Sequence, residues 1–180
     1  MAPRIAPVRD PDPETADILS KTLVGDGPPL NVFTTLARHP RLLKRFNVLG
    51  GFFLTRGSLP ARDREIVILR SAWRSGSEYE FGQHVIIGRR AGLTDDEIGA
   101  LATEGATWPA HDAALVAVAD EVHRDAVVSG ATWEALATEY DEQQLIEVIL
   151  LAGFYRMLAG LLNTVGVERD EGVPGWPAAG

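Results

Sequence analysis

An apolar stretch near the C-terminus constrains the fold more than any other feature of the chain. From Leu145 to Leu162 the residues are apolar almost all the way round a helix, and Glu147 and Arg156 interrupt them. The stretch approaches the length of a membrane span, but the two charges and the lack of a positively charged flank argue against a membrane partner. A helix that is apolar on every side in a soluble chain is buried on every side. In a domain this small we expect a second subunit to cover it, which predicts a homo-oligomer.

Helix start and stop signals punctuate the rest of the chain. Residues typical of helix N-termini stand at Asp12-Pro13, Asn31, Pro40, Ser58-Leu59-Pro60, Ser77, Thr94, Pro109, Thr132 and Asp141. The first helix is expected to run to about Val24, and glycines predict helix ends at Gly25, Gly50-Gly51 or Gly57, Gly76, Gly92, close to Gly105, and Gly130. The inward face of the seventh helix is predicted to carry Leu115, Val118, Ala119 and Val122. No stretch combines period-two alternation with hairpin turns, so the sequence predicts an all-α fold of about eight or nine helices.

Charge and cysteine content exclude several classes of function. The chain of 180 residues has 17 Lys and Arg against 25 Asp and Glu, a formal net charge of −8, and so lacks the basic face that nucleic-acid phosphates require. It contains no cysteine, which excludes disulfides, thiolate zinc sites, iron–sulfur clusters and thiol nucleophiles. The first residues show no apolar core of a signal peptide, so we expect a cytoplasmic protein.

The residues that could carry chemistry lie in two consecutive predicted helices, joined by a tight Ser-Gly-Ser turn. Glu80 and His84 are four residues apart and therefore share one face of the second helix. If the two helices form a hairpin, Glu65 of the first can approach that face, and Ser77 and Tyr79 stand at the start of the second. A carboxylate raises the basicity of a neighbouring imidazole, and a helix N-terminus favours a developing negative charge. The set therefore suits proton transfer.

Each member of this set also has a structural interpretation. Ser77-x-x-Glu80 matches a capping box. Glu65 could pair with Arg62 on a solvated face, and His84 could be a hydrogen-bonded structural histidine. The carboxylates and the imidazole could also be metal ligands, but the stretch has no second histidine, so we expect no metal. Phosphate loops, the serine-hydrolase elbow and the zinc-protease motif are absent from the sequence, and no cofactor is expected.

This stretch resembles the carboxymuconolactone decarboxylase family, which includes the alkyl hydroperoxidase D-like proteins. The family pattern is a glutamate, a C-x-x-C, a histidine four residues after the second cysteine, and then A-G-L-(T/S)-x-x-E-I. In this chain the pattern is occupied by Glu65, Ser77, Glu80 and His84, followed by Ala91-Gly-Leu-Thr-Asp-Asp-Glu-Ile98. The likeness covers about residues 31–168 and extends to the last predicted helix with its Tyr155-Arg156. It implies an alkyl hydroperoxidase D-like helical bundle that assembles as a homotrimer or homohexamer. Residues 1–30, an N-terminal arm with the first helix, and residues 169–180, a C-terminal arm, lie outside it.

The resemblance, combined with the missing cysteines, implies acid–base chemistry. The peroxidase branch of the family reduces peroxide through its cysteine pair, and without a thiolate that reaction cannot occur. The decarboxylase branch acts on a small carboxylated lactone without a redox pair. We therefore expect a decarboxylase, or an enzyme of isomerisation-type proton transfer, whose substrate is a small acid or lactone.

A working hypothesis for this chemistry assigns a role to each matched residue. Glu80 and His84 would form the acid–base pair, Glu65 would orient His84, Ser77 would bind a substrate oxygen, and Tyr79 stands where the peroxidase branch has a relay histidine. An anionic substrate favours an arginine clamp, for which the candidates are Arg70, Arg74 and Arg156. The alternative hypothesis is a non-catalytic oligomeric small-molecule binding or scaffold protein, in which the same residues form a satisfied structural network with no adjoining cavity.

Overall fold

The computed structural model describes residues 3–22 and 27–177, and within these residues the regular secondary structure is entirely helical. Nine helices are described in this part of the chain: α1 (Pro13–Leu19), α2 (Asn31–Leu36), α3 (Pro40–Thr55), α4 (Ala61–Arg74), α5 (Glu78–Arg90), α6 (Asp95–Leu101), α7 (Ala110–Asp125), α8 (Gly130–Ala137) and α9 (Glu142–Val165). The predicted all-α fold is confirmed.

The chain divides into two compact units. The first comprises residues up to Gly57 together with Leu162–Glu171, and it contains α1, α2 and α3. The second comprises Ser58–Leu161 and the segment from Gly172 onward, and it contains α4 to α8 and most of α9. All the candidate catalytic residues belong to the second unit. The division into a domain over 31–168 and two arms stays a prediction.

The first helix is shorter than predicted because hydroxyl groups terminate it. α1 ends at Leu19, where the Ser20 hydroxyl donates to the carbonyl of Asp17 at 2.9 Å and the Thr22 hydroxyl donates to the carbonyl of Leu19 at 2.8 Å. Such bonds compete with the helical amides for the last carbonyls. The predicted end near residues 24 and 25 lies outside the described residues.

Two predicted caps are wrong by one to three positions. Asn31 is the first residue of α2 rather than its cap, and its backbone amide donates to the Asp170 carboxylate at 2.8 Å. Ser129, and not Thr132, caps α8, since its hydroxyl accepts from the amide of Thr132 at 3.3 Å. Leu30 takes the N-cap position of α2 without a side-chain hydrogen bond, and at α8 the sequence offers two hydroxyl residues three positions apart.

Two helices end before the predicted glycines, whereas α3 agrees with the second of its two predicted ends. α3 continues through Gly50-Gly51 to Thr55, two residues before Gly57. α6 ends at Leu101, and α7 ends at Asp125 with Ala126 in the left-handed region at a φ of 57°. The other boundaries agree with the sequence, including the complete capping box that opens α6 at Thr94.

The core of the second unit is built round α4. Ile66, Val67, Ile68 and Leu69 follow one another round the helix and are all fully buried, so α4 is covered on every side. It packs mainly against α7 and α5. The four residues predicted to face inward from α7 are buried, as the sequence indicates. A polar side chain on α4 must therefore find its partners inside the protein.

Buried carboxylates fix the start of α4. The amide and the hydroxyl of Ser58 both donate to one oxygen of Glu147 at 2.7 Å. Asp63 accepts from the Tyr140 hydroxyl at 2.6 Å and from the His111 ring at 3.0 Å. These contacts hold α4 against α7 and α9, and they explain why Glu147 interrupts the apolar stretch.

One face of α9 is buried within the chain, and the opposite face is exposed. By length and composition it could cross a membrane, and half of its most apolar window is buried inside the chain. Ile146, Leu150 and Met157 are each more than half exposed. Burial on every side, as the sequence predicts, is thus not achieved within one chain.

Candidate active site

A left-handed turn folds α5 back onto α4. The amide of Gly76 donates to the carbonyl of Trp73 at 3.0 Å, and that of Ser77 donates to the carbonyl of Ala72 at 2.9 Å. Gly76 has a φ of +61°, a conformation that costs little for glycine because it has no Cβ. The turn produces the hairpin that the Ser-Gly-Ser sequence predicts, and it brings the first turns of α5 against α4.

Glu65 and His84 form a buried pair across this hairpin. His84 Nδ1 lies 2.6 Å from Glu65 Oε2, and Arg64 Nε donates to Glu65 Oε1 at 2.8 Å. Burial raises the pKa of Glu65, but the interactions with His84 and then with Arg64 outweigh burial, so its pKa lies below the usual value. Since an ionised carboxylate only accepts, the proton of the neutral imidazole sits on Nδ1, and Nε2 is left as the basic atom.

Glu80 is buried one turn before His84, without a partner of its own. Its side chain belongs to a residue that is 2% exposed, and neither carboxyl oxygen has a hydrogen-bond partner within the described residues. Burial raises the pKa of Glu80 well above its usual value, and the neighbouring Ser77 hydroxyl opposes the change without cancelling it. Glu80 is therefore a neutral carboxylic acid at pH values at which an exposed glutamate is ionised.

Two of the structural interpretations of these residues are contradicted. Ser77 is the N-cap of α5, but its side chain makes no capping hydrogen bond, so the Ser77-x-x-Glu80 capping box does not form. Glu65 does not pair with Arg62, whose guanidinium instead binds Asp112 through two nitrogens at 2.9 and 2.8 Å. In the described part of the chain, the hydroxyl of Ser77 and both oxygens of Glu80 are buried polar atoms without partners. Such atoms are rare in folded proteins, and a polar ligand would satisfy them.

Tyr155 adds a phenol that the sequence reasoning did not place in the site. The residue is 3% exposed, and its ring meets the His84 imidazole edge to face, with 4.9 Å between centroids. Burial raises the pKa of Tyr155 well above its usual value, and the negative charge of Glu65 raises it further. Its hydroxyl therefore stays protonated. Tyr79, the phenol that the sequence did propose, is buried in the first turn of α5.

The three candidate arginines are engaged elsewhere. Arg70 and Arg74 each donate two hydrogen bonds to the carboxylate of Asp120, at distances between 2.6 and 2.9 Å. Arg70 also donates to the carbonyls of Leu101 and Thr103. Arg156 is exposed on α9, and its Nη1 donates to the carbonyl of Val122 at 2.8 Å. The first two arginines thus hold α4 to α7, and the third lies beside an open groove that is described below.

Metal ligands are not grouped in the described part of the chain. No three His, Asp or Glu side chains there are placed to hold a metal ion together. What the site does bring together is a neutral carboxyl, an imidazole oriented by a carboxylate, a hydroxyl and a phenol. This combination can donate one proton and accept another within a water-poor environment.

Comparison with solved structures identifies the fold. An alkylhydroperoxidase AhpD core protein, an uncharacterized peroxidase-related protein from Ralstonia eutropha JMP134, superposes with a TM-score of 0.76 at 23% identity, over 93% of each chain. The debrominase Bmp8, crystallised as a cysteine-to-alanine variant in complex with 2,3,4-tribromopyrrole, gives 0.79 at 16% identity, over 95% of this chain and 94% of that one. A protein of unknown function from Agrobacterium tumefaciens, a putative antioxidant defence protein, gives 0.68 at 16% identity, over 75% of this chain and 94% of that one.

Comparison of the sequence with models of known families finds a match. No curated protein matches the chain significantly. The model of the carboxymuconolactone decarboxylase family matches residues 40–122, a range that contains the α4–α5 hairpin and all of Glu65, Ser77, Glu80 and His84. The fold of the solved relatives agrees with this match. Over these residues the chain is similar to the carboxymuconolactone decarboxylase family, and its fold is alkylhydroperoxidase D-like.

Proposed function

We propose that the chain is a cofactor-independent acid–base enzyme of the decarboxylase-like branch of its family. Its substrate would be a small carboxylated lactone or a related acid, and its reaction a decarboxylation or an isomerisation-type proton transfer. The observation that carries this proposal is the state of Glu80, a buried carboxyl whose pKa is raised and whose two oxygens have no partner within the described residues. A carboxyl of this kind keeps its proton above the pH at which an exposed glutamate ionises, and it can act as a general acid.

The Glu65–His84 pair supplies the base. Because Glu65 holds the proton of the neutral imidazole on Nδ1, His84 presents Nε2 to a substrate. The carboxylate also stabilises the imidazolium that forms when Nε2 takes a proton. Glu80 and His84 are four residues apart on α5, so a donor and an acceptor lie on the same face of the helix. An isomerisation would use both, with His84 removing a proton from one carbon and Glu80 delivering a proton to another.

A decarboxylation would use Glu80 as the proton donor. The carbon–carbon bond to the substrate carboxylate breaks, its electron pair moves into a conjugated carbonyl, and carbon dioxide leaves. The Ser77 hydroxyl, which has no partner within the described residues, donates a hydrogen bond to the enolate oxygen. Glu80 then gives its proton to the carbon that lost carbon dioxide, and it regains a proton from water. The sum is one carboxylate and one proton converted to product and carbon dioxide.

Thiol chemistry is not part of the proposal. The chain has no cysteine, so neither peroxide reduction through a cysteine pair nor any other thiolate attack is available to it. The debrominase relative was crystallised with a small halogenated ring compound, which supports the inclusion of small ring compounds among the ligands to be screened. Its debromination is not carried over to this chain.

The first experiment finds a ligand. A panel of small aromatic-pathway acids and lactones, with 2,3,4-tribromopyrrole as a comparison compound, is screened by the shift in melting temperature that each causes. Compounds that raise the melting temperature are then assayed for turnover by carbon dioxide release and by substrate absorbance. A compound that binds without any turnover would favour the non-catalytic binding protein over the enzyme.

The second experiment tests the roles of the site residues. Removal of a general acid or base lowers the rate by about 10²- to 10⁴-fold, so Glu80→Gln and His84→Ala should each lose at least 10² in kcat while remaining folded. Glu78→Gln is the matched control, because Glu78 is on the same helix and its carboxylate instead accepts from the amide of Trp176. If both site variants fold and keep full turnover, the mechanism is wrong.

A further inference from the structure

The open side of α9 carries a regular row of residues, here called the seam. It consists of Ile146, Leu150, Gly153, Met157 and Gly160, which follow one another at alternating spacings of four and three residues. This 3.5-residue repeat is the spacing by which one helix packs along another in a coiled coil. The three large members of the seam are 57–61% exposed, so the described residues leave more than half of each side chain uncovered. All five belong to the second compact unit.

Gly153, Met157 and Gly160 of the seam line one side of an apolar groove of about 690 Å³, and the seam continues beyond the groove with Leu150 and Ile146. The opposite wall includes Val127 and Trp133, which are 62% and 44% exposed. A groove whose large apolar side chains are this exposed is too shallow to enclose a small molecule. An apolar helix, by contrast, can pack along such a surface. Arg156 is the one charged residue of the sequence between Val148 and Gly160. The groove therefore presents an apolar surface on which an apolar helix can pack, with the guanidinium of Arg156 at its edge.

We propose that this surface binds a second copy of the same chain, with the two α9 helices antiparallel and the two Gly153 residues facing each other on a two-fold axis. In that arrangement Ile146 of one copy lies opposite Gly160 of the other, because both are seven residues from Gly153. A large side chain then meets a position where an added Cβ would encounter no atom within 4 Å. Leu150 and Met157 fill the layers between. A parallel pair would instead place Ile146 against Ile146 and leave a gap at the Gly160 level.

The size and charge of the surface agree with this pairing. The five exposed apolar side chains of the seam and the opposite wall offer on the order of 500 Å² per copy, more than half of the ~800 Å² that each partner buries in a stable interface. Each chain has a net charge of −8, so two copies repel unless they meet through a surface free of carboxylates. The seam has none, since Glu147 points into the chain and binds Ser58.

The contact is isologous, since each copy presents the same surface to the other. It supplies the second subunit that the apolar stretch of α9 predicts.

Single cysteines test the geometry directly, because the chain has none of its own. Gly153→Cys is expected to form an intermolecular disulfide under mild oxidation, since residues facing across the axis meet the 4.4–6.8 Å Cα separation that a disulfide needs. Ile146→Cys is the matched control. In an antiparallel pair its two copies lie about 20 Å apart along the helices, at 1.5 Å per residue, and no disulfide should form. The double variant Ile146→Cys with Gly160→Cys should cross-link again.

The mass in solution gives an independent readout. Leu150→Glu places a carboxylate in the seam and should reduce the mass measured by light scattering at least twofold, while Val48→Glu, a matched change at an exposed valine of α3, should not. The proposal is overturned if the unaltered chain has the mass of one copy at tens of micromolar. It is also overturned if Ile146→Cys cross-links while Gly153→Cys does not, or if the protein is recovered in the membrane fraction.

Discussion

The raised pKa of Glu80 has a consequence for stability that can be measured without a substrate. In the unfolded chain a glutamate loses its proton near pH 4.3, whereas the buried carboxyl of Glu80 keeps its proton to a higher pH. Below pH 4.3 the group is neutral in both states and costs nothing. Above it the unfolded chain holds fewer protons than the folded chain, so the stability falls as the pH rises, until Glu80 ionises in the folded state as well.

Glu80→Gln removes this cost, because an amide resembles the neutral carboxyl in shape and does not ionise. The difference in free energy of unfolding between the variant and the parent chain should therefore grow in favour of the variant above pH 4.3. Its slope is about 1.4 kcal/mol per pH unit, and it ends at the pKa of the folded state. Any cost of burying the amide shifts the difference by a constant and leaves the slope unchanged.

The assay is urea unfolding followed by circular dichroism, at half-unit steps from pH 4 to pH 8. Glu134→Gln, at an exposed position of α8, corrects for the simple loss of one carboxylate. A difference between Glu80→Gln and the parent that stays flat across this range, relative to the Glu134→Gln series, would refute the assignment of Glu80 as a buried neutral acid. The general-acid role would then lose its physical basis.

Two further predictions concern the framework of the site. Asp120→Asn should destabilise the protein by about 3–5 kcal/mol in urea unfolding, because it removes the nearest counter-ion of the buried Arg70 guanidinium and leaves only the exposed Glu104, at 3.5 Å; a loss below 1 kcal/mol would mean that the Arg70–Asp120 pair contributes little. Gly82→Ala should displace the C-terminal segment and cost about 1–3 kcal/mol, because an added Cβ would lie 2.1 Å from the backbone carbonyl of Pro174. Faster proteolysis after residue 171 would show the displacement, and an unchanged cleavage rate would contradict it.

Much of the fold could be predicted because its signals are local. The Thr94-x-x-Glu97 capping box and the proline at the start of α3 act within one helical turn, and both helices begin where these residues predict. The α4–α5 turn needed only a glycine able to adopt a positive φ. The ends that were wrong, such as Leu19 and Asp125, depend on which of several hydroxyls or small residues takes the last carbonyls, and the surrounding packing decides that.

The candidate site could likewise be predicted where its signals are local, and not where they depend on distant contacts. A spacing of four residues placed Glu80 and His84 on one face, and the hairpin then brought Glu65 into contact with the imidazole. The sequence could not show that the Ser77-x-x-Glu80 pattern would fail to form a capping box, because its formation depends on the side-chain conformation that burial imposes. Contacts between residues far apart in the sequence could not be predicted either. Asp120 lies 50 residues from Arg70, and Tyr155 reaches the imidazole from a different helix.

The position of Glu80 favours a chemical role over a structural one. A glutamate that only locked the hairpin would gain stability by capping α5, and an apolar residue in its place would avoid the cost of burying a carboxyl. The chain instead keeps a carboxyl that makes neither contact, beside an imidazole that is already oriented by Glu65. Active sites commonly retain residues that reduce stability because the reaction needs them. The two readouts of Glu80→Gln therefore have to be taken together. A variant that is more stable above pH 5 and inactive supports the general acid, whereas one that is more stable and fully active would show that the buried proton is not used.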